Sequence, residues 1–181
     1  ASAPGQWFAY DAQGRLATAC QPSSACSSVK QTYTYDGEGH LVAQTDGLSG
    51  LTTSFVYAGD QIVQEVIGGT LAQTYIHDDT GRIVKLCLPD CAGAVYQVVW
   101  NAHGDALGLW HQNSDGTVTL ANRYGYSSWG APTTTTANGY GDLAFPFLYV
   151  GAAGVLWDHT TGLLDMGARV YSPLLGRFLQ P

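Results

Sequence analysis

The sequence predicts an all-β protein, and three observations carry that prediction. Turn and aromatic residues are abundant, with 23 Gly, 11 Tyr and 5 Trp in 181 residues. Charged residues make up only 12%, about half the usual quarter for soluble domains, so the Lys and Glu that favour surface helices are scarce. One short pattern also recurs along the chain: an alternating strand ending in an aromatic residue, then Asp-x-x-Gly, then a second apolar strand. Aromatic and β-branched residues fit a pleated sheet, while Gly and Asp make turns. With 45% hydrophobic residues the chain can bury a core.

The pattern is clearest in residues 8–16 (FAYDAQGRL) and 33–41 (YTYDGEGHL). Residues 75–83 (YIHDDTGRI) place His77 where the others have Tyr, and 55–62 (FVYAGDQI) is one residue shorter. Looser copies lie at 98–104 (VVWNAHG) and around Tyr126, which is followed four places later by Gly130. The anchors Tyr10, Tyr35, Tyr57, His77, Trp100 and Tyr126 are separated by 25, 22, 20, 23 and 26 residues.

Each copy reads as one β-hairpin. The first strand alternates its side chains between two faces. Asp bonds the backbone ahead of it, Gly accepts a positive φ, and the chain returns. The anchor and the Leu or Ile six residues later (five in the short copy) are expected to face one core. A lone hairpin is marginal in water, so the six must stack into a sheet, whose open edges need a cap.

Residues 1–131 therefore form a hairpin array. Residues 132–144 are polar and turn-rich and are expected to be an exposed loop. Residues 145–181 form a terminal module whose apolar residues turn inward, with room for a short helical turn at 172–175.

Net charge is −7, with seven basic residues and no basic cluster, which argues against a nucleic-acid partner. No run approaches the ~18 apolar residues of a transmembrane helix, so no membrane insertion is expected. The absence of an initiating Met and of a signal-peptide pattern reads as a piece of something longer. The cysteines form two local pairs, Cys20/Cys26 and Cys87/Cys91, each bracketing a Pro-containing turn. Neither spacing is CxxC and no His is near, so disulfides are favoured over zinc, with unpaired buried thiols as the remaining alternative. Disulfides imply an oxidising compartment. The five histidines (His40, His77, His103, His111, His159) are scattered, and neither a metal site nor a cofactor is expected.

The last stretch, 160–181, reads TTGLLDMGARVYSPLLGRFLQP. Its TGL, Ala-Arg-x-Tyr-x-Pro and Gly-Arg-Phe-Leu blocks, in this order and spacing, resemble the closing motif of the Rhs/YD-repeat family. The hairpin pattern resembles that family's YD repeats over nearly the whole chain. Two departures stand out: Ser172 occupies the place of a usual Asp, and the sequence stops at Pro181, before the expected Asp-Pro.

The resemblance implies a sheet of stacked hairpins that spirals into a shell sealed by a C-terminal plug. Six repeats would make a curved segment or a small, nearly closed structure. The expected role is structural, in a secreted or cell-surface protein whose shell encloses a toxin-like effector domain downstream in the same polypeptide. Arg169, Tyr171, Pro173, Gly176, Arg177, Phe178 and Leu179 are the expected plug residues, with the two arginines tying backbone carbonyls.

Two other readings accompany it. The family's core region is associated with aspartyl-type self-cleavage, for which Asp158 and Asp165 are the candidates, provided that a turn at 161–162 brings them together to share a proton. Against this, an Asp before TGL also serves as a turn cap, and Asp165 could pair with Arg169 or Arg177. YD repeats also occur in adhesion proteins, so a cell-surface protein or a glycan stacked on Trp129 or Trp157 is the third reading.

Overall fold

The structure, a computed structural model, describes residues 6–21, 26, 28–136 and 143–180. Among these residues twelve strands form one antiparallel sheet in sequence order. They are β1 (Trp7–Tyr10), β2 (Leu16–Cys20), β3 (Val29–Tyr35), β4 (Leu41–Asp46), β5 (Thr52–Ala58), β6 (Gln61–Ile67), β7 (Thr70–His77), β8 (Ile83–Leu88), β9 (Ala94–Trp100), β10 (Ala106–Gln112), β11 (Val118–Tyr126) and β12 (Pro132–Thr136). A 3₁₀ turn at Gly151–Ala153 precedes a second sheet of β13 (Leu156–Asp158), β14 (Leu163–Asp165), β15 (Val170–Ser172) and β16 (Arg177–Phe178). The chain is all-β, with stacked hairpins as the sequence predicts.

The repeat and the hairpin coincide. Each anchor ends or nearly ends an odd-numbered strand and pairs directly with the apolar residue across the turn: Tyr10 with Leu16, Tyr35 with Leu41, Tyr57 with Ile62 and His77 with Ile83. Directly opposed residues share a face, so each anchor lies on the same side of the sheet as its buried Leu or Ile. In all four hairpins the register shifts by one residue just before the anchor. Such a bulge bends and twists a strand, and its repetition curves the sheet.

The turns explain Asp-x-x-Gly. The Asp11 carbonyl accepts the Gly14 N–H at 3.0 Å, Asp36 that of Gly39 at 3.3 Å, and Asp78 that of Gly81 at 3.1 Å. Asn101 with Gly104 and Ser127 with Gly130 make the same bond. The carboxylate adds more: Asp36 Oδ1 accepts the N–H groups of Glu38, Gly39 and His40. Each short acceptor side chain satisfies donors that the turn would otherwise leave unpaired.

Neighbouring hairpins are joined by a ladder. The Tyr35 hydroxyl donates to the Leu16 carbonyl at 2.9 Å, Tyr57 to Leu41 at 3.0 Å, the Trp100 indole N–H to Ile83 at 2.7 Å, and Tyr126 to Ala106 at 2.6 Å. Every acceptor is the residue opposite the preceding anchor. The aromatic therefore fills the core with its ring and finds a backbone acceptor for its polar tip, as a buried Tyr or Trp must.

Two expectations change. Pro132–Thr136, expected within an exposed loop, is strand β12, paired with β11 from Tyr126↔Pro132 to Asn122↔Thr136. The Thr-rich run has strand propensity, its Pro begins the strand, and β11 offers an open edge. Residues 137–142 of the expected loop lie outside the described residues. The chain at 173–176 is a turn between β15 and β16, not a helical segment.

Both cysteine pairs are disulfide-bonded, Cys20–Cys26 between β2 and β3 and Cys87–Cys91 between β8 and β9, with Cα atoms 5.2 and 4.9 Å apart. Among the described residues no helix is long and apolar enough to cross a membrane.

Candidate functional site: the terminal plug and the cavities beneath it

The terminal module lies on the inner face of the large sheet. Phe145, Phe147 and Leu148 are buried, and the Tyr75 ring meets Phe147 edge-on at 5.0 Å. Backbone bonds fix the segment to the fifth hairpin, with Ala106 N–H donating to the Leu148 carbonyl (2.9 Å) and Ala152 N–H to that of Gly104 (3.0 Å). Buried Asp105 accepts the Val150 N–H at 2.9 Å and also holds Asn101 and His103.

The closing motif reaches both ends of the array. Leu163, Val170 and Leu179 pack with Leu16, flanked by Phe8 and Tyr33. The Tyr10 hydroxyl donates to the Leu179 carbonyl at 3.3 Å, and the Gln6 side-chain amide to that of Thr161 at 3.0 Å. Three residues before Leu179, Gly176 has φ +62, and a Cβ there would lie 3.1 Å from the Trp129 ring. Trp129 belongs to the turn of the sixth hairpin. One short stretch thus touches the first and the last hairpins, which requires the sheet to curl around it.

The other motif residues divide between core and surface. Pro173 is buried, and Tyr171 and Phe178 meet edge-on at 5.5 Å. Arg169 and Arg177 are exposed. The Arg169 guanidinium lies over the Phe178 ring at 3.8 Å, an exposed cation–π contact in place of the expected carbonyl ties. Those ties come from elsewhere: the Leu179 N–H donates to the Val170 carbonyl at 2.9 Å, and the Val170 N–H to Gln180 Oε1 at 2.8 Å.

Asp158 is buried and surrounded by donors. Its Oδ2 accepts the Tyr33 hydroxyl at 2.5 Å and the Thr161 hydroxyl at 2.6 Å, and its Oδ1 accepts the backbone N–H groups of Thr160 and Thr161 at 2.8 and 3.2 Å. Burial first, and then the neighbouring Asp158 charge, pushes the Tyr33 phenol well above its usual range. Asp158 is the turn cap of the β13–β14 hairpin and also latches it to β3.

Asp165 sits differently. Gly167 N–H donates to its Oδ1 at 2.9 Å, and burial raises its carboxyl to about 6 against that bond. The expected ion pair with Arg169 or Arg177 is not among the salt bridges of the described residues. The register pairs Asp158 with Leu163 and Leu156 with Asp165, so the two aspartates share a face as diagonal neighbours, about 7–8 Å apart at Cα. Each lines its own cavity, and no hydrogen bond between the two carboxyl groups is among those of the described residues.

The cavities lie between sheet and plug. One, of about 310 Å³, is lined by polar side chains including Gln31, Glu65, Gln73 and Asp158. Glu65 is buried and accepts the Tyr75 hydroxyl at 2.6 Å and the Gln73 amide at 2.8 Å, and Gln73 also donates to the Ala144 carbonyl at 2.8 Å. Burial raises the Glu65 carboxyl, opposed by the Tyr75 and Gln73 bonds. Sequence reasoning missed this cluster. Plain alternation from Ile62 would turn Glu65 to the other face; the bulge after Ile62 brings it inward.

The other cavity, of about 420 Å³, lies under the turns of the second to fourth hairpins, with His40, Asp60, His77 and Asp165 in its lining. Beside it, ligand atoms of Asp36, Glu38 and His40 lie within 4.8 Å of one another. Asp36 Oδ1 there is already occupied by turn N–H groups, and the Asp36 hydrogen bond raises the His40 imidazole.

These features define a class: a repeat-hairpin shell section whose terminal module docks on its inner face. The chain belongs to the Teneurin YD-shell family, whose profile matches residues 5–181. It is 30% identical over 152 residues to the tRNA3(Ser)-specific nuclease WapA of Bacillus spizizenii and, equally, to the tRNA nuclease WapA of Bacillus subtilis strain 168. The match covers 82% of this chain but only 6% of each relative's length. Among solved structures it resembles the Photorhabdus luminescens Tc holotoxin pore, with a TM-score of 0.71 at 16% identity over 99% of this chain and 9% of that one. The TcdB2-TccC3 crystal structure is similar at a TM-score of 0.68 and 16% identity, covering 98% of this chain and 9% of that one. This Rhs/YD-repeat relationship gives the chain a structural role as part of a shell.

Proposed function

We propose that the chain is the terminal section of a shell that encloses an effector domain following it in the same polypeptide, and that residues 145–180 seal that section. The observation that carries this reading is the contact of residues 176–179 with both the first and the sixth hairpins. A module held at both ends of a curled sheet closes it. The relatives named as tRNA nucleases and the Tc toxin structures support a toxin-like effector, such as a nuclease. Two disulfides support a secreted, oxidising setting. In this reading Asp158 has a structural role, latching the plug to β3.

Limited proteolysis of the full-length protein tests the proposal. The downstream domain should resist a protease that digests it rapidly when it is made alone. Replacing Leu163 and Val170 together by Asp, which places charges in the plug core, should remove that protection. Equal digestion of the enclosed and the isolated domain would overturn it.

A further inference from the structure

The inner face of the large sheet carries a polar stripe that the plug leaves partly unanswered. The register sets Tyr33 opposite Gln44 and Gln44 opposite Thr53, with Gln31 two residues before Tyr33 on the same face. Phe55 faces Glu65, and Glu65 faces Gln73. All of these except Tyr33 line the cavity of about 310 Å³, a volume near the lower end for small-molecule pockets.

The carboxylates of this cavity are already served. Glu65 is held by Tyr75 and Gln73, Asp158 by four donors, and Asp46 by the N–H groups of its own turn. Gln31 is different. It is 4% exposed, and its Oε1 is buried with no hydrogen-bond partner. Half-buried Gln44 and Thr53 also make no side-chain hydrogen bond among the described residues. Diagonal neighbours across a strand pair lie about 7–8 Å apart and directly opposed ones closer, so Gln31 and Gln44 reach one small group with the Thr53 hydroxyl beside it. Buried Phe55 and Leu156 and half-buried Trp157 supply apolar wall, and exposed Ser49, Leu51 and His159 mark the mouth. A buried carboxamide without a partner costs free energy that a matching ligand would recover.

We propose that this cavity binds an uncharged primary carboxamide, paired edge to edge with Gln31 and with its carbon stem against Phe55, Leu156 and Trp157. A carboxamide presents a carbonyl oxygen and two N–H donors in one plane. One N–H supplies the donor that Gln31 Oε1 lacks, and the carbonyl accepts from the Gln31 or Gln44 amide. A glutamine side chain of a polypeptide and a free small amide offer this same chemistry. The site does not rest on the enclosure reading above, since it uses only residues of this chain.

Saturation-transfer NMR on the full-length protein provides the test. Propanamide is the probe, and 2-butanone, with a methyl in place of the NH2, is the match that cannot donate. Propanamide should give a saturable signal and the ketone none. Gln31→Leu removes the unpaired oxygen and should weaken propanamide binding by about tenfold, the effect of losing the paired bonds, without lowering Tm. Gln44→Met, which keeps the length and loses the amide, should weaken it by about threefold. Displacement by acetyl-Gly-Gly-Gln-Gly-Gly-N-methylamide but not by its Met counterpart assigns the site to glutamine side chains, and displacement by neither assigns it to free small amides. A propanamide signal no larger than the ketone's, one unchanged by both substitutions, or equal displacement by both peptides overturns the proposal.

Discussion

The Tyr10 hydroxyl donates to the Leu179 carbonyl across 169 residues of sequence. Four other anchors make the same kind of bond, always to the hairpin before them. Leu179 thus serves Tyr10 as Leu16 serves Tyr35, and the terminal motif stands in the place of a neighbouring hairpin. Tyr10→Phe keeps the ring and deletes the bond. It should cost about 0.5–1.5 kcal/mol and lower Tm by roughly 1–6 °C at this size. Hydrogen exchange should speed up in β14 and β15, whereas Tyr35→Phe should loosen the first hairpin instead. Identical exchange maps for the two variants would contradict this assignment.

Asp158 accepts four hydrogen bonds in a buried setting. Asp158→Ala strands two hydroxyls and two N–H groups, so the urea midpoint should fall by the equivalent of about 3 kcal/mol or more. Asp158→Asn retains acceptor capacity and should cost less than the Ala variant. A smaller loss for Ala than for Asn would show that the latch is not the source of stability.

Asp165 makes stability depend on pH in an unusual direction for a carboxylate. Its folded value is about 6, above the ordinary 3.8, so its contribution is fully present below pH ~3.8 and is lost as pH rises through about 6. Asp165→Asn should therefore stabilise the protein at pH 7 by about 1–2 kcal/mol after allowance for partial exposure, with little difference near pH 3.5. Urea midpoints at several pH values read this directly. Glu65, raised by burial, acts in the same direction, so the double variant Asp165→Asn/Glu65→Gln should have the flattest profile.

The disulfides close loops with sequence separations of only 6 and 4 residues. Small loops restrict the unfolded chain little, so each bond should contribute about 2 kcal/mol. Intact mass should show no free thiol before reduction and four after it, with a lower but still cooperative thermal transition.

The hairpins were legible in the sequence because local chemistry writes them. Asp11, Asp36 and Asp78 cap their own turns within four residues, and Tyr35 faces Leu41 through pairing that the turn itself imposes. Trp100 and Tyr126 were found through the same spacing despite looser turns. What stayed hidden depends on distant chain. Pro132–Thr136 looked like a loop until an open edge at β11 gave it a partner. The role of Glu65 rests on Gln73, Tyr75 and the crossing of Ala144, and Asp165 on a cavity whose other wall is more than 80 residues away. The ladder joins neighbouring hairpins, so no single repeat reveals it.

That ladder turns size into a whole-number property. Adding one complete hairpin of 20–26 residues, the spacing of the anchors, keeps every donor one hairpin from its acceptor. Adding a single strand would reverse the direction of all later strands and carry their anchors to the opposite rim, away from the carbonyls that they serve. Shells of this kind can therefore gain or lose volume only in hairpin steps, with the closing leucine carbonyl moving unchanged to whichever hairpin comes first.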